Sequence, residues 1–328
     1  MFYNNKKVLV TGGTGFVGTH FVEELLRRSA RIRIPVHHRP VKFSHREIET
    51  LPADLTSLED CLKACEGIDY IIHAAGAVSA AGVTVGNPMS AISTNLILTA
   101  RILEAAMVKG VSRILIFSSG TTAYPLADYP IKEEEMWTAP PPPIYFGYGW
   151  MRRYIELLGQ FVTSKSAMGV AICRPTAVYG RYDNFDPKTS HVVPALIRRA
   201  SSKENPFVVW GTGEEIRDFL HVTDLVRGCL LLLEKHAVCD PVNIGYGEIV
   251  SIKQIVEIIL KVADHDNVDV RFDVSKPTTI PLRMVDTTKA QNILGFHPTV
   301  TLYQGLEDTV KWYLKQLGTE ATFVKAAS

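Results

Sequence analysis

Cysteine is scarce in this chain and badly spaced for the structures that need it. Five cysteines, at positions 61, 65, 173, 229 and 239, occur among 328 residues, and none forms a CxxC pair. The odd count and the spacing argue against a disulfide framework and against a zinc site. Cys61 and Cys65 stand four apart on an expected helix, where ordinary buried thiols are the simpler reading. An excess of charge is also missing: 35 Lys and Arg face 34 Asp and Glu, a net +1. A protein that binds nucleic acid broadly needs a strong basic surplus, so that class is set aside. Long apolar runs are absent too. The longest, near Leu230 to Leu233, is bounded by Arg227 and Glu234 and falls far short of a bilayer. Met1 to Lys7 is polar and carries no apolar signal core, which makes a cytoplasmic protein without membrane attachment the expectation.

What remains is an ordinary globular composition, 46% hydrophobic and 21% charged. The length favours two closely packed domains. The first half alternates apolar strands with amphipathic helices. Lys7 to Val10, Arg31 to Val36, Tyr70 to His73 and Arg113 to Ser118 read as strands, and Gly15 to Arg28, Pro88 to Lys109 and a segment from about Tyr145 to Phe161 read as helices. Arg113 to Ser118 is apolar in its middle, as a strand covered on both faces should be. Strand–helix alternation of this kind implies an α/β fold built on a doubly wound parallel sheet. Beyond Pro175 the alternation weakens and Gly, Pro and Asn become frequent. Residues 1–175 are therefore expected to bind a dinucleotide. Residues 176–328 are expected to form mainly a substrate domain, with some segments returning to the sheet.

The loop Thr11-Gly12-Gly13-Thr14-Gly15-Phe16-Val17-Gly18 follows the first strand and opens the first helix. Gly12, Gly15 and Gly18 have GxxGxxG spacing. Such glycines permit the tight turn, the approach of backbone to pyrophosphate and the packing of helix on strand, while the helix N-terminus presents free N–H groups to the phosphates. The second strand runs into Val36-His37-His38-Arg39-Pro40, without the carboxylate that NAD binders place there for the ribose hydroxyls. His38 and Arg39 suit a 2′-phosphate instead, so NADP is expected, with NAD as the alternative. A solvated basic turn is the structural reading of the same residues. Asp54 and Leu55, after the third strand, are placed at the adenine edge.

This loop, then His73-Ala74-Ala75-Gly76, Asn95 in the next helix, Ser118-Ser119, and a tyrosine with a basic residue four later together resemble the extended short-chain dehydrogenase/reductases. The second half narrows the resemblance. Arg174-Pro175-Thr176-Ala177-Val178-Tyr179-Gly180, Asp183-Asn184-Phe185-Asp186-Pro187, Ser190 to Arg199, Val208 to Gly213, Arg217 to Val222 and Phe272 to Pro277 are similar to the GDP-L-fucose synthases. The resemblance implies a Rossmann-type sheet with a smaller C-terminal substrate-binding α/β domain, a GDP-linked nucleotide-sugar substrate, and a homodimer. It also implies cofactor contacts from Ala74, Ala75, Asn95, Ser118 and Pro175. Val192, Leu196, Val209 and Trp210 would form the guanine pocket, and Arg199 and Arg217 would face the diphosphate or the sugar, with Asn184 and Lys276 added to the substrate contacts. Trp210 as a core residue and Arg198-Arg199 as a solvated helix face are the structural readings of the same positions.

Reduction or oxidation at a sugar carbon needs a proton to move on the same oxygen, and a tyrosine beside a cation can move it. Residues four apart share one helix face. In Tyr145 to Arg153 only Tyr148 has a basic residue at that spacing, Arg152. The resemblance puts lysine there, so Arg152 is a departure. A second departure is Gly120, which occupies the position of the family's catalytic Ser or Thr. Thr121 is the expected substitute, with Thr122 or Ser119 next. The family's two-base epimerisation uses a cysteine where Thr122 stands and a histidine at His191. The expected activity is therefore NADP(H)-dependent C4 oxidoreduction, as a reductase or 4-epimerase, of a GDP-linked sugar. The alternatives are an NAD-dependent epimerase or dehydratase of a UDP-, dTDP- or CDP-sugar, and a non-catalytic regulatory protein that binds dinucleotide and nucleotide sugar.

Overall fold

The computed structural model describes residues 2–77, 89–276 and 278–326. Strands too short to stand alone pair side by side through their backbone groups, and helices then cover the faces. β1 (Lys7–Thr11), β2 (Arg31–Val36), β3 (Ile48–Pro52), β4 (Tyr70–His73), β5 (Arg113–Phe117) and β6 (Gly169–Pro175) make six strands of one sheet. The rest of the strands are β7 (Ala177–Tyr179), β8 (Phe207–Trp210), β9 (Ile216–Arg217), β10 (Phe219–His221), β11 (Val242–Ile244), β12 (Val250–Ser251), β13 (Val270–Asp273) and β14 (Leu282–Arg283). The sheet has seven strands in the order β11-β6-β5-β4-β1-β2-β3, every neighbouring pair parallel. Chain order reverses direction between β1 and β4. A crevice opens at such a switch point, outside the carboxyl ends of the strands, and it is where ligands bind in sheets of this kind.

Helices cover both faces. α1 (Phe16–Arg27), α2 (Leu58–Ala64), α3 (Ser90–Val108), α4 (Phe146–Lys165), α5 (Val192–Ser201), α6 (Val222–Lys235), α7 (Ile252–Val262), α8 (Thr288–Leu294) and α9 (Leu302–Ala326) follow in order. One core joins the sheet to α1, α6 and α8 through Phe21, Leu25, Leu230 and Leu294. The other joins it to α2, α3 and α4 through Cys61, Ile102, Leu103 and Ile155. A third core, with Leu196, Val209, Ile255 and Leu306, holds the smaller C-terminal α/β part. There β8 pairs with β13, and β9 lies between β12 and β14.

β2 and β4 have the expected bounds, and α1 starts at Phe16 with Gly15 as its N-cap. Of the helix expected from Pro88, Pro88 itself lies outside the described residues. The seventh strand is only three residues long, Val242–Ile244, and comes from far beyond Pro175. One reading needs correction. Among the described residues α3 is long and apolar enough to cross a membrane by length and composition, with mean hydropathy 1.4 over Ser90–Val108. It is therefore a longer apolar stretch than Leu230 to Leu233. Its Asn95, Thr99, Ile102, Leu103, Ala105 and Ala106 are buried, so the helix is built into the fold.

Candidate active site

The cofactor groove is assembled at the exits of β1 and β4. A Cβ on Gly18 would overlap the carbonyl oxygen of Gly12, so α1 can approach the turn this closely only with glycine there. The N-cap, Gly15, has no side chain to cap α1, and no acidic residue stands in the first turn, which leaves the first N–H groups suited to an anion. His73 binds the two strand exits together: Nδ1 is 2.8 Å from Thr11 Oγ1 and Nε2 is 3.3 Å from Thr99 Oγ1. Thr11 Oγ1 also accepts the Ala75 N–H at 3.1 Å. Burial, helped by the Arg152 charge, pushes His73 down to about 3, so it is neutral at pH 7. Asn95 reaches from α3 to hold the loop after β4, its amide donating to Ala77 O at 2.8 Å and accepting the Ala77 N–H at 3.2 Å. It therefore shapes the loop that carries Ala74 and Ala75.

Past β2, the rings of His37 and His38 lie 3.6 Å apart between centroids. Arg39 is exposed, with no ion pair among the described residues. Asp54 stays below its ordinary pKa, chiefly because Thr56 donates to it from both N–H and hydroxyl, and the two histidines add to the effect. Leu55 is buried in the core below.

Tyr148 and Arg152 share one face of α4. Arg152 Nη2 donates to the Tyr148 hydroxyl at 2.6 Å, and Nη1 donates to Phe117 O at 3.0 Å. Its Nε is buried with no partner among the described residues. Ser118 stands at the end of β5, donating to Arg152 O at 3.4 Å. Gly120 stands where the resemblance puts a serine or threonine. It donates its N–H to Pro175 O at 3.0 Å, and a Cβ there would come within 2.9 Å of that oxygen. Ser119 Oγ accepts from Thr121 N–H, Thr122 N–H and Thr122 Oγ1 at 3.2, 3.0 and 2.9 Å. Ser119 and Thr122 are thereby engaged with each other, while the Thr121 hydroxyl has no partner among the described residues. Cys173 is no substitute for the missing thiol: it is buried, with Sγ 3.5 Å from Cys229 Sγ of α6, in the core on the α6 side of the sheet. His191 is the N-cap of α5. It is exposed, and desolvation of its imidazolium lowers its pKa.

The structure does not treat all the expected substrate residues alike. Trp210 and Val192 are exposed, at 52% and 39%, whereas Leu196 and Val209 are buried in the third core. Arg199 holds Glu204 through Nε at 2.7 Å and Nη2 at 2.5 Å and lies over the Phe207 ring, so its guanidinium is engaged within the smaller part. Asn184 is used in its own turn, donating to Thr189 Oγ1 at 2.8 Å and accepting the Asp186 N–H at 3.1 Å. Lys276 is exposed.

Arg217 was expected in the site; its neighbour Arg283 was not. The pairing of β14 with β9 sets Arg283 directly beside Arg217. Arg283 is buried, donates to Pro125 O at 2.8 Å and Tyr124 O at 3.3 Å, and keeps Nε unpartnered among the described residues. Burial depresses it to about 10, and it lowers Arg217 as well. Neither forms an ion pair among the described residues, and the phenol of Tyr145 lies in the field of both. Arg217 is half-buried, donates from Nη1 to Ile216 O and Pro281 O and from Nη2 to Thr279 Oγ1 and Ile280 O, and has Glu215 in its field, so Arg283, with its unpartnered Nε, is the less engaged of the two guanidiniums among the described residues. The signal that could have found Arg283 is the register of two two-residue strands, which a single sequence does not display. The walls of the site are tied by Arg174, which grips Glu156 at 2.8 and 2.7 Å and donates to the Tyr124 hydroxyl at 2.8 Å. Tyr124 in turn donates to Asn243 at 2.7 Å.

A model of the NAD dependent epimerase/dehydratase family matches residues 8–245. The chain belongs to this family. A probable GDP-L-fucose synthase 1 from Oryza sativa subsp. japonica is 32% identical over 95% of this chain and 93% of the relative. A dTDP-4-dehydro-6-deoxy-D-allose reductase from Streptomyces bikiniensis is 28% identical over 94% of this chain and 96% of the relative. Among solved structures, a UDP-glucose 4-epimerase from Thermotoga maritima with UDP-glucose superposes with a TM-score of 0.84 at 25% identity, covering 95% of this chain and 99% of that one. The protein is thus an NAD(P)-dependent enzyme of the nucleotide-sugar epimerase and reductase type, and the non-catalytic reading falls away.

Proposed function

We propose that this enzyme is an NADP(H)-dependent C4 oxidoreductase of a GDP-linked deoxysugar, and that it moves the proton on O4 without epimerising C3 and C5. The observation that carries the reading is the Arg152–Tyr148 pair beside a loop that offers a free Thr121 hydroxyl but no thiol. The site fits the cofactor: Gly18 leaves α1 against the turn, the α1 N-terminus is uncapped, and Arg152 Nε is an unused buried donor. Gly12, Gly15, Phe16 and Val17 would hold the pyrophosphate, and His38 and Arg39 the 2′-phosphate. When bound, NADP(H) supplies or takes the hydride at C4.

The protein's part is the proton. In the reducing direction Tyr148 gives its hydroxyl proton to O4, Thr121 donates a hydrogen bond to the same oxygen, and Arg152 remains on the phenolate and stabilises its charge. Arginine does not release a proton near neutrality, so the proton that restores Tyr148 comes from water. Arg217 and Arg283 suit the substrate diphosphate, and the exposed indole of Trp210 suits a purine face. The rice relative favours GDP, and the Streptomyces relative is named as a reductase of a 4-dehydro-6-deoxy sugar. The likeness to an epimerase with UDP-glucose keeps one second reading, 4-epimerisation of a UDP-sugar. Thermal shift against a panel of GDP-, UDP- and dTDP-sugars, each with NADP(H) and NAD(H), separates the two. Stabilisation by GDP-sugars with NADP(H) supports the proposal, and stabilisation by UDP-sugars with NAD overturns it.

The homodimer belongs to the same proposal. Phe146, Trp150, Tyr154, Leu157 and Phe161 are exposed along α4 at steps of four, four, three and four, the spacing of a helix seam. A second copy covers that stripe in the proposed assembly. Light scattering on Phe161→Glu tests it: a monomer is expected, and an unchanged mass in a dimeric wild type would refute the seam.

A further inference from the structure

Arg153, one residue past Arg152, is 1% exposed and forms no ion pair among the described residues. The nearby carboxylate, Glu156, is taken by Arg174. Arg153 instead donates from Nε to Ala123 O at 2.8 Å and from Nη2 to Ala139 O at 2.7 Å. Its guanidinium lies 4.8 Å from the ring centre of Trp150 and 5.4 Å from that of Trp137. A buried charge without a counter-ion is costly, and the two carbonyls and two indoles offset only part of that cost.

The two carbonyls belong to separate walls of the site. Ala123 follows Thr121 and Thr122, and Ala139 precedes the proline run that leads into α4. Gly149, one turn before Arg153 on the same helix face, brings α4 against both walls. A Cβ there would overlap Thr122 O and stand 2.6 Å from Pro141 Cβ. The loop itself is cross-braced at Ser119 Oγ, which collects three donors from Thr121 and Thr122. Its other end is held by Arg153.

We propose that Arg153 is a positioning residue: by clamping the Ala123 and Ala139 carbonyls to α4 it sets the Thr121 hydroxyl relative to Tyr148, five residues earlier in the same helix. With Gly120 in place of a hydroxyl-bearing residue, the placement of that hydroxyl depends on how the whole loop is held. The inference rests on the C4 oxidoreductase reading, in which Thr121 meets the reacting oxygen.

The test is a double-mutant cycle of Arg153→Met and Thr121→Val in the full-length enzyme, with a 4-keto sugar nucleotide and NADPH. Arg153→Met should lower kcat by roughly 10- to 100-fold, the scale of a displaced reacting group. KM for NADPH should stay within about twofold, and the double variant should be about as slow as Thr121→Val alone, because both changes remove one effect. Arg153→Lys, which keeps charge but not the fork, should fall between. Fully additive losses in kcat would overturn the proposal. Hydrogen exchange reads the clamp without turnover: the peptide spanning Ser119 to Tyr124 should exchange faster in Arg153→Met while α1 is unchanged, and equal exchange would also overturn it. An inactive wild type counts against the oxidoreductase reading and leaves the exchange result to decide the clamp.

Discussion

Arg152 spans two partners, the Tyr148 hydroxyl at 2.6 Å and the Phe117 carbonyl at 3.0 Å, so the cation that serves the tyrosine is anchored to the end of β5. Tyr148→Phe keeps the ring and removes the proton. Turnover should fall by roughly 10²- to 10⁴-fold, the range for a lost general acid, while substrate binding persists. Arg152→Lys should retain activity and Arg152→Met should not. Steady-state kinetics with a binding titration check this, and full turnover in Tyr148→Phe would mean that another group gives the proton.

Arg39 is the exposed cation after β2, with no ion pair among the described residues and no carboxylate at the end of the strand. Arg39→Ala should weaken NADP binding by about 1.5–3 kcal/mol, the usual worth of a charged hydrogen bond, and leave NAD nearly unaffected. Calorimetric titration of both cofactors decides it. Equal affinities in the unaltered protein would remove the basis for NADP.

Glu156 and Arg174 form a pair whose side chains are 1% and 2% exposed. Glu156→Ala leaves a buried guanidinium without its counter-ion, which costs about 3–5 kcal/mol. Urea denaturation should show the midpoint falling with little change in slope. A midpoint shift worth less than about 1 kcal/mol would show that the Tyr124 hydroxyl and the Glu133 carbonyl, to which Arg174 Nη1 donates at 2.8 and 2.7 Å, satisfy Arg174 unaided.

His73 gives a pH prediction. Its folded pKa of about 3 lies below the 6.5 of a free histidine, so between those values the unfolded chain binds a proton that the folded protein does not. The stabilising contribution is present above pH 6.5 and is lost as pH falls toward 3. Asp218, raised to about 6 by burial, acts in the opposite sense and is common to wild type and variant. Melting curves of His73→Asn should therefore show a shallower loss of stability from pH 6.5 downward than wild type. Parallel curves would contradict the assignment.

The parts of the site that are legible in the sequence are those built from neighbours in the chain. Gly12 to Gly18, and Tyr148 with Arg152, lie within one turn or one helix face, so spacing alone brings them together. The Arg217–Arg283 pair depends on the register of two-residue strands far apart in the chain, and the sheet edge β11 has too few residues for a period to show. No spacing marks Arg153, because its partners, the carbonyls of Ala123 and Ala139, come from other segments of the chain. Arg199 shows the converse: the resemblance puts it at the substrate, and Glu204, five residues on, holds it instead.

Epimerisation beside a ketone needs one group to take the α-proton and another to return a proton on the opposite face. His191 can be one. The position of the second holds Thr122, whose hydroxyl is a far weaker acid than a thiol titrating near pH 8.5 and already donates to Ser119. The most direct test is incubation with a GDP-4-keto-6-deoxymannose and NADPH in deuterated water, followed by NMR of the product. Reduction at C4 with C3 and C5 still carrying protium is the predicted result. Deuterium at both carbons with an inverted ring would contradict it.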